Sequence, residues 1–145
     1  MINAIKKLLL FCFTFSLSVI VNAQSSYPVL EKKIQLKQYK LAYQQALKLR
    51  AQNEGDPRFD YLYGLSALQT GHNNEAMFAL IRVTVTTPNV IRPRLELARA
   101  YIKLNNKTAA LKEFNDVLSL SPPSNVKRNV LSYISQLNKY TTPKV

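Results

Sequence analysis

The chain is expected to be all-α, a short solenoid of about three antiparallel helical hairpins closed by a C-terminal capping helix. A tandem repeat is the first ground. Two consecutive windows of 34 residues, 57–90 and 91–124, share one skeleton: sliding one onto the other pairs Gly64 with Ala98, Ala67 with Tyr101, Ala76 with Ala110, Leu80 with Phe114, Val83 with Val117 and Pro88 with Pro122. Alternation of size is the second. Gly64, Ala67, Ala76, Ala98 and Ala110 let one helix lie close against another, while Leu80, Val83, Phe114 and Val117 fill the wider gaps. The third is punctuation, since Pro88 and Pro122 close each unit with a residue that cannot continue a helix. A single hairpin cannot bury its apolar face alone, so neighbours must stack and the ends must be capped.

Residues 1–23 stand outside this pattern. Lys6 and Lys7 precede a 14-residue apolar stretch, Leu8 to Val21, and Val21-Asn22-Ala23 before Gln24 makes a small-residue cleavage site. This is the pattern of a secretory signal peptide, too short to span a membrane. Cys12, the only cysteine, lies inside the apolar stretch behind Phe11, so it is not the lipid-modified cysteine of a lipoprotein leader. The mature chain is then expected to begin at Gln24, to hold no thiol, and to have no disulfide, thiolate metal site or cysteine nucleophile.

Residues 24–140 read as one domain and 141–145 as a tail. Pro28 opens a helix to about Leu36, and Lys37 to Asn53 supplies its partner, with Tyr39, Ala42, Ala46 and Leu49 at helical spacing. Ala42 and Leu49 lie 34 residues before Ala76 and Val83, which marks a degenerate first repeat; Leu30 and Lys33 replace Gly64 and Ala67 there. In Glu54-Gly55-Asp56-Pro57 the glycine stops one helix, Asp56 caps the next and Pro57 begins it. That helix runs to about Thr70, Gly71-His72-Asn73 turns the chain, and Asn74 to Thr87 returns. The run from Ile81 to Thr87 is β-branched and alternating and would pass alone for a strand, but the repeat register continues through it. The second full unit follows, with Asn105-Asn106 as its turn and a helix over Thr108 to Leu120. After Pro122-Pro123, Ser124 caps a closing helix with Val126, Val130, Tyr133 and Leu137 on one face and Lys127, Arg128, Ser132 and Gln136 on the other.

This period resembles the tetratricopeptide repeat (TPR), whose stacked units form a concave groove lined by the first helix of each hairpin. The resemblance implies a binding scaffold. On these first helices Arg58, Tyr61, Leu65 and Leu68 share one face, and Arg92, Leu95, Arg99, Ile102 and Lys103 another. The candidate partner-binding groove is therefore Arg58, Tyr61, Leu65, Arg92, Arg99 and Lys103, a mixture suited to an extended or acidic peptide segment. The competing reading is equally weighted: the leucines pack on the neighbouring hairpin and the long cations only cover the surface.

No set of residues points to catalysis. His72 has no second histidine or cysteine with which to hold a metal, no serine sits in a nucleophile elbow, and the three glycines form no phosphate loop. The expectation is a non-enzyme without metal or cofactor. Glu96 lies four residues after Arg92 and Asp116 four after Lys112, spacings of surface ion pairs. With the leader removed, 18 basic residues face 8 acidic ones, a net +10 that attracts polyanions. Export argues against nucleic acid among them, and leaves acidic protein or an anionic envelope surface.

A narrower resemblance rests on Arg92-Pro93-Arg94-Leu95-Glu96-Leu97-Ala98-Arg99-Ala100-Tyr101, Ala109-Ala110-Leu111-Lys112-Glu113-Phe114 and Leu120-Ser121-Pro122-Pro123, with Val126 and Ile134 after them. These are similar to the N-terminal periplasmic TPR domain of the surface lipoprotein assembly modulators (Slam) of Gram-negative bacteria. In that family the domain precedes an outer-membrane β-barrel and is implied to engage exported clients; this sequence stops at Val145, and the expectation is a domain without the barrel. The expected function is an exported periplasmic adaptor that binds a protein or peptide partner, an exported client or an outer-membrane translocation partner. The alternative is a basic binder of an anionic envelope surface, and neither reading puts a transmembrane span in the mature chain.

Overall fold

The punctuation seen in the sequence sets the helix ends in the computed structural model, which describes residues 27–139. Among the described residues seven helices follow one another: α1 Pro28–Gln35, α2 Tyr39–Asn53, α3 Pro57–Gln69, α4 Asn73–Thr86, α5 Ile91–Lys103, α6 Lys107–Ser119 and α7 Ser124–Lys139. No strand occurs among the described residues. The leader expected at 1–23 and the tail at 141–145 lie outside them.

Asp56 caps α3 by accepting the Phe59 amide at 2.8 Å, and Asn106 caps α6 by accepting that of Ala109 at 3.1 Å. Ser124 differs from expectation. It is the first helical residue of α7, and Pro123 takes the cap position by accepting the Lys127 amide at 2.9 Å. The turn inside each hairpin holds one left-handed residue at the same place in the period: Lys37 at φ 57°, Gly71 at 86° and Asn105 at 56°. Lys37 thus puts the degenerate first hairpin in register with the other two.

The β-branched run is helical through Thr86, with its hydroxyls bonded back along the helix. Thr84 donates to the Ile81 carbonyl at 2.9 Å and Thr87 to that of Val83 at 2.7 Å, while Val83 and Thr84 are buried against neighbouring helices. Tertiary burial overrides the strand propensity.

Consecutive helices pack against each other throughout the described residues. In addition α1 touches α3 and α3 touches α5, whereas the backbones of α2, α4 and α6 do not approach one another among the described residues. The first helices are therefore the crowded, inner layer and the solenoid curves around them. Inside the hairpins, Gly64, Ala76, Ala98 and Ala110 are buried with Leu80, Phe114 and Val117 as the register requires. A Cβ on Gly64 would lie 2.9 Å from Leu80 Cγ, so that close approach admits only hydrogen. α7 closes the stack: Val130 joins Ala98, Phe114 and Val117 in a buried cluster, with Val126, Ile134 and Leu137 at its margin.

A polar network absent from the sequence reading ties α2, α3 and α4 together. Asp60 is 0% exposed and accepts from both Nε and Nη2 of Arg82 at 2.8 Å. The Gly55 amide donates to the same carboxylate at 3.1 Å, and Arg82 also reaches Glu54 at 3.0 Å. Next to it, Glu75 accepts from the hydroxyls of Tyr43 and Tyr63, with Arg50 lying over the Tyr63 ring. The bidentate Asp60–Arg82 pair fixes the angle between α3 and α4.

Arg82→Met should lower stability by about 3–5 kcal/mol, because it strands a buried carboxylate. Chemical denaturation measures this, and a loss near zero would show that Asp60 is adequately held by the Gly55 amide. A second expectation concerns alkali. Burial raises the phenols of Tyr27, Tyr43, Tyr61, Tyr63 and Tyr101 above the ordinary 10.0. The unfolded chain ionises near that ordinary value and the folded chain only above it. The stability these rings contribute is complete below about pH 10 and disappears as pH rises through their folded values. Of the eight tyrosines, these five should therefore yield their tyrosinate absorbance only together with loss of helical circular dichroism; all eight ionising with the helices intact would contradict the burial.

Candidate partner-binding groove

The inner layer carries all six candidate residues, Arg58, Tyr61 and Leu65 on α3 and Arg92, Arg99 and Lys103 on α5. They do not form one cluster. Arg58, Tyr61 and Arg92 line a recess of about 280 Å³ whose apolar walls include Val83, Val90 and Pro93. Arg99 and Lys103 line a second of about 340 Å³ with Leu68, Ile102 and Tyr133. Leu65 lines neither and is 5% exposed, so for this residue the competing sequence reading, packing between hairpins, describes the structure.

Within the first recess, the Arg92 guanidinium carbon lies 6.0 Å from the centroid of the Tyr61 ring. The Tyr61 hydroxyl is buried and has no hydrogen-bond partner. Burial pushes this phenol up, against an opposing pull from Arg92. Arg58 is engaged elsewhere, its Nε donating to Glu31 of α1 at 2.6 Å.

The surface pair expected between Arg92 and Glu96 is not made. Glu96 is 7% exposed and takes Arg99, three residues on, at 3.1 Å, because Arg92 turns away onto Tyr61 of the neighbouring hairpin. The Lys112–Asp116 pair forms as expected at 2.8 Å. The groove therefore holds two cations neutralised by Glu31 and Glu96, and two, Arg92 and Lys103, that meet no carboxylate among the described residues.

Tyr133 of α7 is the groove residue the sequence reading missed. It stacks on Phe114 with centroids 5.4 Å apart and leans over the recess that holds Arg99. Its signal was available: Leu65, Arg99 and Tyr133 are separated by 34 residues each, so the closing helix extends the column of first-helix positions by one more step. His72 stacks on Tyr43 at 4.0 Å and meets Thr70 Oγ1 at 2.9 Å, a turn residue. Among the described residues no three of His, Cys, Asp and Glu could hold a metal, and no helix is long and apolar enough to cross a membrane.

Comparison with known proteins agrees with this architecture. Residues 91–124, from the start of α5 to the first residue of α7, match the family described as Tetratricopeptide repeat. No curated protein matches the chain by sequence. Among solved structures, the crystal structure of PcrH in complex with the chaperone binding region of PopD is similar in fold, with TM-score 0.72 and 13% identity over 88% of this chain and 99% of that one. The chain is thus a tetratricopeptide-type helical solenoid, with the repeat itself recognised at residues 91–124.

Proposed function

We propose that this chain is an exported periplasmic adaptor whose groove holds an extended acidic segment of a protein partner. The observation that carries the reading is the Tyr61 recess: a buried hydroxyl whose proton meets no acceptor, beside the Arg92 cation, which meets no carboxylate among the described residues, in an apolar setting. A carboxylate delivered there accepts from both groups, and such charge-assisted hydrogen bonds contribute about 1.5–3 kcal/mol each. Apolar neighbours of that carboxylate meet Val83, Val90 and Pro93, and Lys103 offers a second unpaired charge further along α5. The similarly folded PcrH was crystallised with a binding region of another protein, which supports a segment as the occupant. Export rests on the leader pattern of residues 1–23, and an exported client or a translocation partner rests on the Slam resemblance. Nothing in the groove supplies a nucleophile or an acid–base pair, so its chemistry is recognition.

Tyr61→Phe is the sharpest test, because it removes only the hydroxyl. It should leave the melting temperature unchanged or slightly raised, since an unsatisfied buried group is lost, yet weaken the partner about ten-fold. Arg92→Glu should abolish capture. Lys127→Glu with Arg128→Glu on α7 provides a larger charge change outside the groove and should bind like the parent. The partner is taken from periplasmic extract, identified by mass spectrometry and titrated against each purified variant. Parental affinity for both groove variants would end this reading. N-terminal sequencing of the protein from the cell envelope should begin at Gln24, and an intact Met1 would end the export half.

A further inference from the structure

The period also shows where the solenoid is open. In α3 the positions facing the preceding hairpin are Tyr63, Ser66 and Ala67, all buried; in α5 the corresponding residues Leu97 and Ala100 are buried and Tyr101 is half-buried. One period before α3, those positions in α1 are Val29, Lys32 and Lys33, and Leu36 continues the same face. No hairpin stacks on them among the described residues: Val29 is 56% exposed and Leu36 54%. Lys37, Lys40 and Leu41 extend this face around the turn into α2, where Leu41 is 49% exposed.

Its chemistry is one-sided. From residue 32 to residue 53 the sequence contains five lysines and one arginine but no aspartate or glutamate. None of Lys32, Lys33, Lys37 and Lys40 pairs with a carboxylate among the described residues. A second copy of this face is a poor occupant, because it would set Lys32 and Lys33 against their own images. An acidic protein would satisfy the charge. The residues of this face, however, include no arginine and no large aromatic anchor of the kind on which protein interfaces concentrate their energy. Single aliphatic side chains spaced by lysines suit a bilayer surface: each aliphatic group enters the headgroup region separately, and each ammonium follows a phosphate on a flexible stem.

We infer that the α1–α2 end of the solenoid docks on an anionic phospholipid surface, with Val29, Leu36 and Leu41 as shallow inserts and Lys32, Lys33, Lys37 and Lys40 as the charge contacts. Glu31 of α1 reaches Arg58 at the border of the first recess, but no residue of α1 or α2 lines either recess, so docking through the lysine face leaves the groove residues uncovered.

The test is sedimentation of the chain from Gln24, which keeps all seven helices, with vesicles of phosphatidylcholine alone or mixed with phosphatidylglycerol. The parent should sediment only with the phosphatidylglycerol vesicles and be released by salt. Lys32→Gln with Lys33→Gln should weaken binding roughly thirty-fold, taking the usual worth of two lysines near an anionic surface. Leu36→Ser with Leu41→Ser should also weaken it, while the equal charge change Lys127→Gln with Arg128→Gln should not. Circular dichroism and melting confirm that these exposed substitutions leave the fold intact. Failure to bind phosphatidylglycerol at low salt overturns the inference, as does equal loss in the α7 control, which would assign binding to net charge. Retention on polyglutamate through Lys32 and Lys33, without vesicle binding, would make the occupant an acidic protein and would equally overturn it.

Discussion

The distance between the two helices of a hairpin is set by one contact, and the rest of the molecule follows from it. In the second hairpin that contact is Gly64 against Leu80, where no Cβ fits; one period later it is Ala98 against Phe114. A small residue on the first helix and a large one on the second fix which faces meet. The remaining faces of the first helices must then contact the next hairpin or line the inner surface. Because α1, α3 and α5 touch while α2, α4 and α6 do not, that inner surface is concave and carries the groove residues. Recognition here is a by-product of packing: the positions left over by the hairpin contact are the ones free to vary in chemistry.

Asp60 and Arg82 add a directional constraint to this non-directional packing. Apolar contacts alone would let α3 and α4 slide, whereas a bidentate pair closed by the Gly55 amide has one geometry. The cost is desolvation of a carboxylate at 0% exposure. The contribution of such a pair is chiefly specificity of arrangement, while loss of either partner is destabilising. It holds Pro57 and Val83 at one end of the Tyr61 recess, so the shape of the site depends on a network that touches no ligand.

The helical layout was legible because each level of the sequence agreed: Asp56 as a cap before Pro57, turns at Gly71-His72-Asn73 and Asn105-Asn106 one period apart, and small and large residues in alternation. Even the β-branched run after Leu80 was readable once the period was weighed against local propensity. The polar partnerships were less legible. Glu96 and Arg92 have surface-pair spacing, but spacing on one helix does not reveal that Tyr61 of another offers Arg92 a better seat. Asp60 and Arg82 are 22 residues apart, a separation with no local meaning. Leu65 looked like a groove residue because helical facing alone does not say how deeply a neighbour covers it. Tyr133 was overlooked for the opposite reason, since extending the period into α7 identifies it directly.

Charge partition explains why a chain so basic can have two distinct surfaces. All eight carboxylates of the sequence are engaged inside the described fold. Asp56 caps a helix and Glu75 takes two tyrosines. Glu31, Glu54, Asp60, Glu96, Glu113 and Asp116 hold arginines, and Asp116 also holds Lys112. No acidic residue is left to neutralise the lysines of the first hairpin or Arg92 and Lys103 in the groove. Buried pairs such as Asp60–Arg82 are screened little by salt, whereas exposed lysines are screened over about 8–10 Å at physiological ionic strength. Rising salt therefore acts on the exposed face of α1 and α2 before it acts on the fold. The Tyr61 recess lies between these extremes: Arg92 is itself exposed and is screened as the lysines are, but the apolar walls Val83, Val90 and Pro93 hold a partner by contacts that salt does not weaken. A partner seated there should remain bound at ionic strengths that already release the lysine-rich end from an anionic surface.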